Sequence, residues 1–208
     1  LGWGNAVTET VRADDWITSV TDADYEEVSG TWTDHSVEGL SPGSDGTHNT
    51  VGADQLEYSA TGTDITDAST DVWDLLNDVP LSSALTDYVN DVGTDATAYV
   101  EVLFGNLVGG GVPVAVRALG YDRDSAAAGA ASAISRILLS DSTAVTPDLR
   151  LSTDDPGTTM NLRKKLLDVP SGGWDATKVN GLKARLGFGD GAPDGYFESL
   201  MLEVALKS

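Results

Sequence analysis

The chain lacks cysteine and is poor in basic residues. Of its 208 residues, 12 are Lys or Arg and 33 are Asp or Glu, so the formal net charge is −21. Without cysteine there is no disulfide, thiol nucleophile, Cys-ligated zinc site or iron–sulfur cluster. Binding to nucleic acid or to an anionic membrane surface needs clustered Lys and Arg. We therefore expect no nucleic acid and no membrane among its partners.

Long apolar runs are also missing. The longest uncharged apolar run, residues 102–116, is interrupted by Asn106, by the glycines at 109–111 and by Pro113. A helix that spans a bilayer needs about 20 apolar residues, so no transmembrane segment is predicted.

The charge is distributed unevenly along the chain. Residues 1–100 hold 20 acids and a single base, Arg12, whereas residues 101–208 hold 13 acids and 11 bases. Such asymmetry suggests two parts with different surroundings. We predict that residues 1–70 form an acidic N-terminal arm or a set of added strands, and that residues 71–208 form the main domain.

The kind of acid present indicates an adaptation to salt. Asp accounts for 25 of the 33 acids and Lys for only 5 of the bases, while Ala, Gly and Thr are abundant, as in proteins of extreme halophiles. Repulsion between like charges destabilises a compact chain. The Debye length is about 8–10 Å in ordinary buffer and about 3 Å in molar salt. The composition thus predicts a fold that depends on salt; an ordinary acidic domain is the alternative.

Short segments of alternating apolar and polar residues, separated by turn residues, predict an all-β fold: an antiparallel β-sandwich (jelly roll) with one short α-helix near the C-terminus. The helix is predicted over Ala176–Leu186, with Asp175 as its cap, and one or two helical turns over residues 71–78. Residues 39–54 are interpreted as a long loop, and the last strand as buried on one face only. The predicted strands lie at 16–20, 29–33, 56–60, 97–104, 112–119, the end of 125–140, and 196–207, with a hairpin formed by 148–152 and 158–167.

Two motifs resemble catalytic or nucleotide-binding signatures and are rejected. Residues 39–43 match G-x-S-x-G, but a nucleophile elbow needs a helix after the Ser, which Pro42 opposes, and His48 is the only downstream histidine. Residues 187–192 match G-x-G-x-x-A, but they follow a helix instead of a strand. No catalytic residue is predicted, and the chain is not expected to be an enzyme.

Two clusters of carboxylates are candidate binding sites for Ca²⁺. Asp190, Asp194 and Glu198 are candidate metal ligands, and Asp122 with Asp124 is a second set, although neither fits the twelve-residue calcium loop. No other cofactor is expected.

The basic run Arg163, Lys164 and Lys165 is a candidate interaction site for an acidic neighbour; its alternative is a solvated strand edge. The five Trp residues are interpreted as core or interface anchors, with a sugar-stacking platform as the alternative.

Three motifs in a fixed order carry a family resemblance. They are Leu-Thr-Asp-Tyr-Val at 85–89, Gly-Trp-Asp-Ala-Thr-Lys-Val-Asn-Gly-Leu at 173–182 and Leu-Met-Leu-Glu-Val at 200–204, with a V-x-V-x-V-R-A strand at 112–118 between the first two. Together, over about residues 71–207, they resemble a group of tailed-virus structural proteins from phage and prophage gene clusters. In that group Ser or Thr usually follows the Trp; here it is Asp175, which also caps a helix.

The resemblance implies a concanavalin-like or jelly-roll sandwich and a virion protein without catalytic residues. It would be a surface-exposed module of the head (decoration or vertex turret) or of the tail (tip or fibre), for assembly, stabilisation and host attachment. The salt-adapted composition adds a haloarchaeal tailed virus as the source. The implied partners are other virion proteins, copies of itself, and a host surface glycan or S-layer. A carbohydrate-binding module or glycan-active sandwich, and a secreted halophile surface domain, remain alternatives.

Overall fold

Two antiparallel sheets organise the chain in the computed structural model, which describes residues 8–10, 35–49, 56–58, 62–78, 81, 87–91, 97–124, 133–145, 159, 161–188 and 195–207. An all-β antiparallel sandwich with one short helix near the C-terminus is thereby confirmed. The strands within the described residues are β1 (Thr8–Thr10), β2 (His35–Leu40), β3 (Pro42–Asp45), β4 (Leu56–Tyr58), β5 (Thr63–Asp64), β6 (Val89–Asp91), β7 (Val100–Phe104), β8 (Val112–Asp124), β9 (Ala133–Leu138), β10 (Asn161–Leu166), β11 (Lys183–Phe188) and β12 (Gly195–Lys207).

The larger sheet is built around β12, the last strand. One edge of β12 pairs along its whole length with β8, from Gly195 opposite Asp124 to Lys207 opposite Val112. Its other edge pairs with β2 over 202–207 and with β6 at Tyr196 and Phe197. Strand β1 extends the sheet from β2, β4 and β5 extend it from β6, and β10 extends it from β8. The alternating patterns near the two long strands are confirmed, and β8 continues beyond the predicted 112–119.

Both faces of β12 are buried, so the prediction of a half-buried strand was wrong. Leu202 and Val204 are fully enclosed, and on the opposite face Met201 and Ala205 are enclosed as well. In the sequence, Glu203 indicated that this face is exposed to solvent. Its carboxylate pairs instead with Arg117 on β8.

The smaller sheet has the order β3–β7–β11–β9. The chain leaves the larger sheet at Leu40, turns at Ser41 and enters the smaller sheet at Pro42. The predicted loop over 39–54 was therefore wrong at 39–45. Pro42 is the first residue of an edge strand, a position at which a strand tolerates proline. In the sequence, this proline and the glycines around it indicated a loop instead of a strand.

Buried side chains from both sheets form one core. Leu40 comes from β2, Val102 from β7, Ile137 from β9 and Leu202 from β12, and Trp174 joins them from the segment before the helix. A single-turn 3₁₀ helix, Val72–Leu75, adds Val72 to this core; it is the helical turn predicted at 71–78.

Helix α1 covers only Ala176–Asn180. The Asp175 carboxylate accepts the Lys178 N–H at 2.8 Å, so the predicted cap is confirmed. The predicted extension to Leu186 was wrong, because β11 begins at Lys183 and pairs with both β7 and β9. Neither described helix is long and apolar enough to cross a bilayer. The predicted strands at 16–20 and 29–33, and the first arm of the predicted hairpin, lie outside the described residues.

Candidate functional site

Buried carboxylates, each held by a partner, are the main feature inside the sandwich. Three of them, Asp122, Glu203 and Glu101, meet basic side chains on adjacent strands. Arg163 Nε lies 2.8 Å from Asp122 Oδ1, and the Arg117 guanidinium contacts the Glu203 carboxylate. Buried pairs are screened far less by salt than surface pairs are. Bases of the nearly neutral half of the chain therefore act inside the fold.

Glu101, on β7, is the centre of the largest such cluster. Its Oε2 accepts a hydrogen bond from Arg185 Nε at 2.6 Å and lies 3.3 Å from Lys183 Nζ. Its Oε1 accepts the Thr47 N–H at 3.2 Å. Burial raises the pKa of Glu101, but the hydrogen bonds from Arg185, Thr47 and Lys183 outweigh it and leave the pKa below its usual range. The carboxylate is ionised and fixes the 46–48 loop against the smaller sheet.

His48 is buried beside this cluster. Its Nδ1 accepts the Glu101 N–H at 3.0 Å, and its Nε2 lies 3.9 Å from Asp45 Oδ1. Burial lowers the pKa of His48, although Asp45, Glu101 and Asp67 act in the opposite direction. The imidazole is therefore neutral at pH 7, and the nitrogen that a catalytic base would need is already an acceptor. Ser41 lies between two strands, which agrees with the rejection of a nucleophile elbow.

Glu38, on β2, is fully buried, and two backbone N–H groups hold its carboxylate. Its Oε1 accepts the Val108 N–H and its Oε2 accepts the Gly109 N–H, both at 2.8 Å. A Cβ at Gly109 would lie 2.6 Å from Oε2, so only glycine allows this approach. The bond pair holds the 105–111 loop over the larger sheet.

An open groove of about 590 Å³ lies at the corner where β2 turns into β3; we call it the tryptophan groove. Residues 39–43 line one side of it, and Trp73, Asn77 and Asp78 line another. Asp45 holds this second side, because its carboxylate accepts the Val72 and Trp73 N–H groups at 3.2 and 2.9 Å. The groove thus combines an aromatic ring with amide and carboxylate groups on a fixed support.

The residues singled out in the sequence are only partly brought together. Arg163 points to Asp122, Lys164 is exposed and Lys165 is half-buried on β10, so the basic run does not present three side chains on one surface. Glu198 is buried on β12, whereas Asp190 and Asp194 lie outside the described residues. Within the described part of the chain, no three His, Cys, Asp or Glu side chains cluster as metal ligands.

The residues that organise the site were not distinguished in the sequence. Glu38, Glu101 and Asp45 are three acids among 33, and nothing in their immediate neighbours marks them as buried. The one available signal is Glu101, which interrupts an otherwise apolar run between Val100 and Val102.

Comparison with known proteins includes a distant structural likeness. No protein-family model matches the chain, and no curated protein matches it. Among solved structures, the enzymatically active domain of tailspike protein 4 from bacteriophage CBA120 is aligned with 94% of this chain at 10% identity and a TM-score of 0.37. The chain spans about a fifth of the length of that protein, 21%. A TM-score this low carries no argument about fold or function.

Proposed function

We propose that the chain is a non-enzymatic structural protein of a tailed-virus particle, a β-sandwich module exposed on the head or tail. The observation that carries the proposal is the role of the 173–182 motif, one of the three motifs on which the resemblance rests. Trp174, Val179 and Leu182 are buried in the core, and Asp175 caps the helix between them. The motif therefore shapes the fold, as expected for a family defined by structure instead of by chemistry.

The interior of the sandwich supports a structural role as well. Glu38, Glu101, Asp122 and Glu203 each hold a neighbouring strand or loop. Groups committed in this way are unavailable for acid–base work. Copies of the chain and other virion proteins are the proposed partners, since such modules assemble through one repeated interface.

A halophilic archaeal host is part of the proposal. It is supported by the surplus of Asp over Lys and by buried ion pairs that molar salt screens only weakly.

Mass spectrometry of purified particles tests the proposal. The expected result is that the chain is recovered from washed, intact virions in a fixed ratio to the major capsid or tail protein. Its recovery only from the host-cell fraction would contradict the proposal. An image of the assembled particle at side-chain resolution then decides between head and tail.

A carbohydrate-binding module is the second candidate, and the tryptophan groove is the observation that favours it. An aromatic face beside amide and carboxylate groups in a concave site is suited to binding a small polar ligand. A glycan array in molar salt should show signals that Trp73→Ala removes and Trp73→Phe partly keeps. An array without signal above background would exclude this candidate.

A further inference from the structure

A second groove, which we call the arginine groove, lies on the smaller sheet where β9 and β11 run side by side. Its volume is about 290 Å³. It is lined by residues of β9 and β11, by residues 97–99 before β7, and by the turn after β9. Its principal lining residues are Thr97, Tyr99, Arg136, Leu138, Ser142 and Arg185.

Two like charges face each other in this groove. Arg136 and Arg185 are direct partners in the antiparallel register of β9 and β11. Like charges in directly opposite positions destabilise a sheet, and the chain has only 7 Arg among its 208 residues. Placing two of them opposite each other creates a local basic site on a protein of net charge −21.

The orientation of Arg185 is fixed before any ligand arrives. Its Nε donates to Glu101 Oε2 at 2.6 Å, and its guanidinium carbon lies 4.5 Å from the centre of the Tyr99 ring. These contacts use one nitrogen and one face of the guanidinium, and the two terminal nitrogens remain donors of the planar fork that suits a carboxylate or a sulfate. Arg136 is exposed on the neighbouring strand.

We propose that the arginine groove binds an acidic saccharide, with a carboxylate or sulfate oxyanion held between Arg136 and Arg185. Ala98, Leu138 and Ala144 supply an apolar lining for the carbon face of a sugar ring, and Thr97 and Ser142 supply hydroxyls at its rim. The volume lies at the lower end of the range for small-molecule sites. A protein partner would need about 800 Å² of contact surface, which favours a small ligand here.

The site would work in molar salt because it relies on short contacts. Long-range attraction is screened within about 3 Å at 1 M salt, whereas paired hydrogen bonds from a guanidinium act at contact distance. The inference goes beyond the virion proposal and does not depend on it, since binding is measured on the isolated chain.

Titration calorimetry in molar KCl tests the inference with trigalacturonate as the acidic probe and maltotriose as the neutral probe. We expect trigalacturonate to bind, maltotriose not to bind, and inorganic sulfate to displace trigalacturonate. Absence of trigalacturonate binding would overturn the inference, and so would equal binding of both trisaccharides.

Matched variants locate the site. Arg136→Gln should weaken trigalacturonate binding by about tenfold or more, as expected for loss of a charge-assisted hydrogen bond. Lys164→Gln removes the same charge from an exposed position on the other sheet and should change the affinity by less than about twofold. Equal weakening by both variants would show unspecific attraction and overturn the inference.

A third variant separates the charge of Arg136 from the shape of its guanidinium group. Arg136→Lys keeps the charge but loses the planar fork, so its affinity should fall between those of the wild type and Arg136→Gln. An affinity of Arg136→Lys equal to that of the wild type would contradict recognition by a guanidinium fork. The melting temperature of each variant, measured without probe, shows whether it folds.

Discussion

Individual buried carboxylates connect distant segments of the chain by hydrogen bonds, and Glu38 is the simplest example. A single side chain on β2 accepts two backbone N–H groups of a loop that is 70 and 71 residues further along the chain. A carboxylate has two oxygens that can each accept a hydrogen bond, which matches the two N–H donors that point at it. The loop is therefore held by chemistry specific to an acid, not by its size alone.

Replacing that carboxylate by an amide should destabilise the fold. In Glu38→Gln one acceptor oxygen becomes an NH₂ group that faces a backbone N–H, so a buried donor loses its partner at a cost of about 1–3 kcal/mol in unfolding free energy. Urea unfolding at constant KCl concentration measures the loss. Glu57→Gln, at a half-buried position on β4, is the control and should change stability by less than about 0.5 kcal/mol.

His48 should make stability depend on pH below neutrality. Because burial lowers its pKa in the folded chain, the unfolded state takes up a proton near pH 6.5 while the folded state still has a neutral ring. The unfolded state then holds more protons, so the unfolding free energy falls as pH decreases from about 6.5 towards the lowered pKa, by at most about 1.4 kcal/mol per pH unit. Glu101 acts in a separate window, because its lowered pKa removes stability only below its ordinary value of 4.5.

Unfolding measured between pH 7.5 and 5, values chosen to bracket about pH 6.5, checks this expectation. His48→Asn keeps an acceptor but cannot be protonated, so its profile should be flatter than that of the wild type. His35→Asn is the matched change at the other histidine. If the two variants had equal slopes, His48 would not be the source of the pH dependence.

At the scale of elements, local pattern predicted the long strands and the start of the helix, but not the residue at which the helix ends. Val100, Val102 and Phe104 alternate in the sequence and are all buried on β7, so periodicity alone located that strand. Leu182 and Leu186 also fit a helical spacing with Val179. They are buried as that spacing suggests, yet they lie after the helix, because pairing of β11 with two strands outweighs a helix propensity of a few tenths of a kcal/mol per residue.

The candidate grooves could not be predicted for a related reason. Arg136 and Arg185 are 49 positions apart and become neighbours only through the register of β9 and β11. The tryptophan groove likewise joins Trp73 to the Ser41 corner, where the sequence predicted a loop. Both grooves depend on which strands pair, and a single sequence contains little information about pairing across long separations.

Asp175 gives a prediction at the scale of an element, because it is the position where this chain departs from its resemblance. Its carboxylate caps α1 and pairs with Lys178, and these contacts lower the pKa of Asp175. Asp175→Ser introduces the residue type usual in the proteins that the sequence resembles and keeps the cap, so stability should change little. Asp175→Ala removes the cap and should cost about 1 kcal/mol. Equal melting temperatures of the two variants in molar KCl would show that the cap is not what this position supplies.

At the scale of the whole molecule, the two halves of the chain use their charges differently. Arg117, Arg163, Lys183 and Arg185 of the nearly neutral half are paired with buried acids. Four of the 11 bases of residues 101–208 are thus partly enclosed beside buried acids. Because the same pairs also take up the charges of Glu101, Asp122 and Glu203, most of the excess negative charge still lies in residues 1–100.

The proposed salt adaptation follows from this difference and predicts a melting temperature that rises with salt. Repulsion among exposed carboxylates is screened as the Debye length falls to about 3 Å at 1 M salt, while the buried pairs keep most of their strength. We expect the melting temperature to fall steadily on dialysis from molar KCl to ordinary buffer. Sucrose at matched osmolality is the control, because it favours the compact state by exclusion from the surface without screening charge. A melting temperature unchanged by desalting would refute the adaptation, and equal rescue by sucrose would show that screening is not its cause.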